Sequence, residues 1–140
     1  MKMNKKGFTL IELLAIIVIL AIIAVITVPI ILNIIDNARR GAEKNSVIGF
    51  GKAVELSYTQ YQYKTQLGET YVATSSTTTV NATIDSATPI TLGVDYDGDA
   101  VTGCTATIDR GILTLTNCSI NDHPYSYKGG KAYEGATIPE

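Results

Sequence analysis

A run of apolar residues from Leu13 to Ile35, broken only by Thr27, Pro29 and Asn33, constrains this chain more than any other feature. It holds 23 residues, against the roughly 20 that a helix needs to cross a bilayer. The 140 residues leave room for one modest domain beside such a helix, and not for two independent cores. Directly before the run stands a carboxylate, Glu12. A charge there costs roughly 2.5 to 3.5 kcal/mol if it reaches the bilayer centre, so Glu12 is a functional-site candidate whose partner has to be named.

Residues 1–7 are short, polar and basic, with Lys2, Lys5 and Lys6. An ordinary secretory signal would follow its apolar core with an A-x-A-like site, whereas this core ends Ile26-Thr27-Val28-Pro29-Ile30-Ile31. The apolar stretch is therefore expected to stay on the protein, with the lysines holding the N-terminus on the cytoplasmic side. The formal net charge is -2, and removal of residues 1–7 would take it to -5 by subtracting three lysines. That balance argues against a nucleic-acid surface, which needs clustered Lys and Arg. The one basic run, Arg39-Arg40 with Lys44, reads as a solvated helix face.

The stretch Lys5-Lys6-Gly7-Phe8-Thr9-Leu10-Ile11-Glu12-Leu13, with the Ile/Leu/Val/Ala run after it, resembles the processing signal of the type IV pilin superfamily. That group includes pilins and the pseudopilins of secretion and competence machines. The likeness covers about the first third of the chain. It implies that a prepilin peptidase cuts between Gly7 and Phe8 and methylates the new N-terminus at Phe8. It also implies roles in assembly for Glu12 and for Pro29, which matches a proline that members often carry. The implied fold is α+β, the type IV pilin fold: a long N-terminal helix packed on a small antiparallel sheet.

Physical reasoning agrees with the resemblance. Glycine at the cut leaves no side chain in a protease's way, and cleavage strips the lysines while exposing an α-amine at Phe8. That amine and the Glu12 carboxylate are four residues apart, so they can pair along one helix face or between neighbouring helices. In a bundle of apolar stems, pairing between subunits would set the axial register. The alternative for Glu12 is a carboxylate reaching out to the headgroups near the helix end.

Pro29 removes a backbone donor and meets the carbonyl of Val25, which predicts a kink or local opening. Helical patterning resumes beyond it: Val47, Phe50, Val54, Tyr58 and Tyr61 recur at three- and four-residue steps and form one apolar stripe. Gly49 and Gly51 either weaken the helix locally or allow close approach of whatever covers the stripe. The expected organisation is a leader over 1–7, an apolar helix over 8–35, an amphipathic continuation over 36–63 and a β-rich head over 64–140. The helix of 56 residues would be ~84 Å long, far more than one crossing needs.

Past Leu67-Gly68 the chain is rich in Thr, Val, Ile, Tyr, Gly and Asp in period-two alternation. Strands are expected over 69–74 and 78–84, on either side of Ser75-Ser76-Thr77. Asp97-Gly98, flanked by Ile90–Tyr96 and Ala100–Ile108, predicts a hairpin. A second turn falls at Asp109-Arg110-Gly111, and a last hairpin or ordered loop in the tail around Gly129-Gly130-Lys131. Asp95, Asp97 and Asp99 lie at alternate positions in the first loop and could converge on a hard cation such as calcium if the turn curls, although the full EF-hand spacing is missing. Counted outward from the second turn, Cys104 and Cys118 fall opposite or nearly opposite each other, which predicts a disulfide worth about 3 kcal/mol.

The chain so read is a structural subunit. Its partners would be copies of itself, a prepilin peptidase, a membrane assembly platform with minor pilins, and the membrane before assembly. It would begin in the cytoplasmic membrane and end in a filament on the bacterial surface. A major pilin is the first expectation, a secretion or competence pseudopilin the second, and a monomeric membrane-anchored adhesin the reading from another class. An enzyme is disfavoured, because His123 adjoins Pro124 without an evident nucleophile partner and the two cysteines consume each other. No nucleotide site and no cofactor beyond calcium is expected.

Overall fold

The computed structural model describes residues 6–73, 78–87 and 89–140. Most of the leader and the polar loop with Ser75, Ser76 and Thr77 therefore lie outside the described residues. The chain divides into two compact units, Met1–Arg39 and Arg40–Glu140.

One helix, α1 (Leu10–Gln66), runs continuously through Pro29. Two residues before the proline, Thr27 Oγ1 donates to the carbonyl oxygen of Ile23 at 2.7 Å. Positions 6–42 are exposed throughout. The helix stops because Gly68 takes a left-handed conformation, φ 74°. This turns the amide of Glu69 onto the carbonyl of Lys64 at 3.0 Å and that of Gly68 onto Thr65 at 3.1 Å. The last carbonyls are satisfied by this reversal, and glycine adopts it without a Cβ penalty.

The second unit carries a six-stranded sheet formed by β1 (Thr78–Ile84), β2 (Pro89–Val94), β3 (Thr105–Asp109), β4 (Ile112–Ile120), β5 (His123–Lys128) and β6 (Lys131–Glu134). Their spatial order is β2-β1-β3-β4-β5-β6. Strands β3 to β6 form an antiparallel meander. Two-residue turns connect them at Arg110-Gly111, Asn121-Asp122 and Gly129-Gly130, and all six residues have positive φ. That is the turn geometry whose twist matches the strands it joins.

The sheet is mixed, which corrects the expectation of an antiparallel one. Strand β1 pairs antiparallel with β2 but parallel with β3 over Ala82–Ile84 and Ala106–Ile108. Asp97-Gly98 is consequently not a hairpin turn but part of the crossover from β2, past β1, to β3. Within this crossover Tyr96 is held against the helix. Its ring meets Phe50 edge to face at 5.5 Å, and its hydroxyl donates to the carbonyl of Ser46 at 3.0 Å. A Cβ at position 98 would fall 2.0 Å from that hydroxyl, so glycine is needed there for close approach. Residues 69–73 are also not a strand. Instead the hydroxyl of Tyr71 accepts from the amide of Gly93, covering the outer edge of β2.

The core joins the apolar stripe of α1 to one face of this sheet. Val47, Phe50 and Val54 are buried against Val80, Leu92, Ile108, Leu115, Tyr125 and Tyr127, with Tyr58 and Tyr61 at the margin. Gly51 serves close approach: a Cβ there would lie 2.6 Å from the ring of Tyr127. With that space left open, the Tyr127 hydroxyl reaches Glu55 Oε1 at 2.9 Å.

Strand β4 changes phase halfway along. Leu113 and Leu115 face the core, and then Cys118 and Ile120 do. A bulge between Leu115 and Cys118, with Asn117 at φ 57°, inserts the extra residue that moves the buried set from odd to even positions. Cys104 and Cys118 are joined as a disulfide, with their Cα atoms 4.2 Å apart. The basic run is less free than expected: Lys44 Nζ lies 2.9 Å from Glu134 Oε1, and Arg40 3.7 Å from Oε2. These pairs are half exposed, so each contributes at most about 1 kcal/mol.

Candidate functional site at the start of the helix

The first residues of α1 form a capping box. Thr9 is the last residue before the helix, and its backbone N–H donates to Glu12 Oε2 at 2.8 Å. The Thr9 hydroxyl lies 2.8 Å from the same oxygen, and the Glu12 amide meets that hydroxyl at 3.3 Å. Threonine at the cap and glutamate three residues on satisfy each other's amides, two of the four donors that a helix start leaves open. The carboxylate also sits at the positive end of the helix dipole. Thr9-x-x-Glu12 before an apolar run was visible in the sequence, where attention to the carboxylate's charge hid its role as a cap.

Around this box every large apolar side chain from Phe8 to Ile35 is exposed. Among the described residues one helix, Leu10–Gln66, is long and apolar enough to cross a membrane, and its most apolar stretch has no buried residue. A continuous apolar surface of this size is far beyond what a protein leaves facing water. Gly7 lies just outside the helix, and a Cβ built there meets nothing within 4 Å. Packing does not call for glycine at that position.

Residues 2–28 match the family model described as the prokaryotic N-terminal methylation motif. The chain carries the class III signal peptide of type IV pilins. No curated protein and no solved structure matches it. With the apolar helix the signal peptide fits a membrane-anchored precursor of pilin type, and the long helix on a six-stranded mixed sheet is a pilin-like α+β architecture.

The other expected site residues are dispersed or already bonded. Among the described residues no group of three or more His, Cys, Asp or Glu side chains is placed to share a metal ion, so Asp95, Asp97 and Asp99 are not brought together. Asp99 Oδ2 instead accepts from the hydroxyl of Ser46 at 3.0 Å. His123 Nδ1 lies 3.0 Å from Glu43 Oε2, in a network with Asn121 and Tyr125. That network was missed in the sequence. Glu43 is only 4% exposed, and its carboxylate also takes Asn121 Nδ2 at 3.1 Å and Tyr125 Oη at 2.5 Å. Its signal was the spacing, since Glu43 stands one turn before Val47 on the apolar stripe.

Proposed function

We propose that this chain is the structural subunit of an extracellular type IV filament, made as a membrane precursor, cleaved after Gly7, methylated at Phe8 and polymerised through its N-terminal helix. The observation that carries the reading is the coincidence of the class III signal peptide with a wholly exposed apolar helix whose first turn holds a carboxylate. In the bilayer that surface faces lipid, and in a filament it faces the same surface of other copies. Repeated contacts that do not close on themselves generate such a polymer.

Glu12 has a defined place in the proposal. Both bonds from Thr9 fall on Oε2. Cleavage leaves Thr9 and its amide intact, so the cap survives processing, and Oε1 is then the oxygen that receives the α-amine of Phe8 from a neighbouring copy. Motor and ATPase functions belong to other components in this reading.

Intact-mass analysis of fibres sheared from cells tests it. A chain beginning at Phe8 and heavier by one methyl group is the expected result. A chain beginning at Met1 would sink the filament reading and favour a monomeric surface adhesin. Electron microscopy of the same material separates a major pilin, seen as long fibres built mainly of this chain, from a pseudopilin of a secretion or competence machine.

A further inference from the structure

Of the two disulfide cysteines, Cys104 keeps some exposed surface and Cys118 has none. Cys104 lies just before β3 and, with the preceding residues 101–103, lines one side of a slot of about 420 Å³ that is also lined by residues 78–81 of β1 and by Phe50. The slot exists because β1 and β3 pair only from Ala82 and Ala106 onward and diverge before that point. Cys118 lies on β4 inside the core, with no exposed surface, while Cys104 is half-buried.

We infer that thiol–disulfide exchange at this bond runs through Cys104, with the incoming thiolate entering the slot between β1 and β3 and Cys118 always acting as the leaving or resolving sulfur. The thiolate of a small thiol such as glutathione forms a new S–S bond with Cys104 Sγ, and the Cys104–Cys118 bond breaks. Its electron pair stays on Cys118 Sγ, which takes up a proton. Closure is the reverse: the Cys118 thiolate attacks the mixed disulfide on Cys104 and expels the small thiol. Access helps decide which sulfur is attacked, and of the two cysteines Cys104 is the one with exposed surface.

Two features decide how the exchange behaves. A thiolate left among apolar side chains is poorly stabilised, so Cys118 is a reluctant leaving group and opening is slow. Thr102 and Ser119 exchange two backbone hydrogen bonds, at 3.0 and 2.8 Å, and hold the segment bearing Cys104 beside β4 after the sulfur bond opens. Reclosure is therefore intramolecular and fast, and the mixed disulfide on Cys104 is its only intermediate.

The full-length precursor in non-denaturing detergent micelles tests the inference. Cys118→Ser leaves Cys104 as the lone thiol and Cys104→Ser leaves Cys118; each is treated with glutathione disulfide. In the folded state the chain retaining Cys104 should be glutathionylated more than about tenfold faster, with the difference gone in urea sufficient to unfold it. Equal rates, or a faster Cys118, would overturn the assignment. Because either variant can fail to fold, the unmodified chain is also incubated with reduced glutathione, quenched with acid, alkylated under denaturing conditions and mapped by mass spectrometry. Glutathione on Cys104 with the alkyl group on Cys118 supports the inference. Glutathione on Cys118, an even distribution, or adducts formed only on unfolded chains overturn it.

Discussion

The buried carboxylate of Glu43, on the helix, accepts a 2.5 Å hydrogen bond from the hydroxyl of Tyr125, on β5. Asn121 and His123, at the turn leading into the same strand, complete its coordination. A helix residue one turn before the apolar stripe is thus fastened to the β4–β5 hairpin by polar bonds, where an apolar side chain would give packing alone. Buried acceptors of this kind stabilise mainly by matching donors that would otherwise be stranded.

The first prediction concerns acid. The Tyr125 bond, with further help from Asn121 and His123 and against the opposing effect of burial, holds the Glu43 carboxyl below its ordinary range. A depressed folded-state value means that this stability is present above the unfolded carboxyl value of about 4.3 and is lost as pH falls through the folded one. Thermal melts of wild type and Glu43→Gln from pH 7 downward should converge as the carboxyl protonates. At neutral pH the variant should be less stable by about 1 to 3 kcal/mol, because buried donors lose their acceptor. Parallel melts that never converge would remove Glu43 as the titrating group.

A second prediction lies at the alkaline end. Burial, and then the bond to Glu55, push the Tyr127 hydroxyl up to about 12. A raised value means that the stability is fully present below the unfolded value of about 10 and is lost as pH rises through the folded one. Tyr127→Phe should flatten the loss of stability between these limits, followed by circular dichroism against pH.

Two helix glycines should respond with opposite sign to the same substitution. Gly51→Ala places a Cβ 2.6 Å from the Tyr127 ring and should destabilise by about 1 to 3 kcal/mol through overpacking. Gly41→Ala meets nothing within 4 Å and should stabilise by up to about 1 kcal/mol through helix propensity. Melting temperatures of the two variants, measured side by side, decide the matter.

The capping box separates two roles of one carboxylate. Glu12→Gln keeps an oxygen for the Thr9 amide while removing the charge, and Thr9→Val keeps the charge while removing the hydroxyl. If the α-amine of Phe8 is the partner in the filament, Glu12→Gln should be cleaved normally yet yield few or no fibres. Thr9→Val should weaken the helix start by about 1 kcal/mol and still assemble. Immunoblots of cell-bound and sheared fractions read both outcomes, and abundant fibres from Glu12→Gln would show that the charge is dispensable.

How much of this was legible in the sequence follows from the range of each interaction. The processing signal, the apolar helix and its stripe at Val47, Phe50 and Val54 were readable because their meaning lies within a few residues of chain. The same holds for the turns at Arg110-Gly111 and Gly129-Gly130, whose backbone preference is local. The disulfide was inferable for a related reason, since one hairpin joins its two halves, although the bulge that brings Cys118 to the inner face was not.

What only the tertiary structure decided involves residues distant in sequence that compete for the same partner. Asp97-Gly98 had the local marks of a hairpin, yet Tyr96 packs on Phe50 of the helix, the chain crosses over and β1 meets β3 in parallel. Asp99 is drawn to Ser46 and not toward Asp95 and Asp97. Glu43 is bonded by Asn121, His123 and Tyr125, which come from 78 to 82 residues further along the chain. Local chemistry determines where the N-terminal motif lies, where the chain turns and which face of the helix is apolar. Which strands become neighbours, and which polar groups are buried together, depends on the whole unit satisfying its donors and filling its core at once.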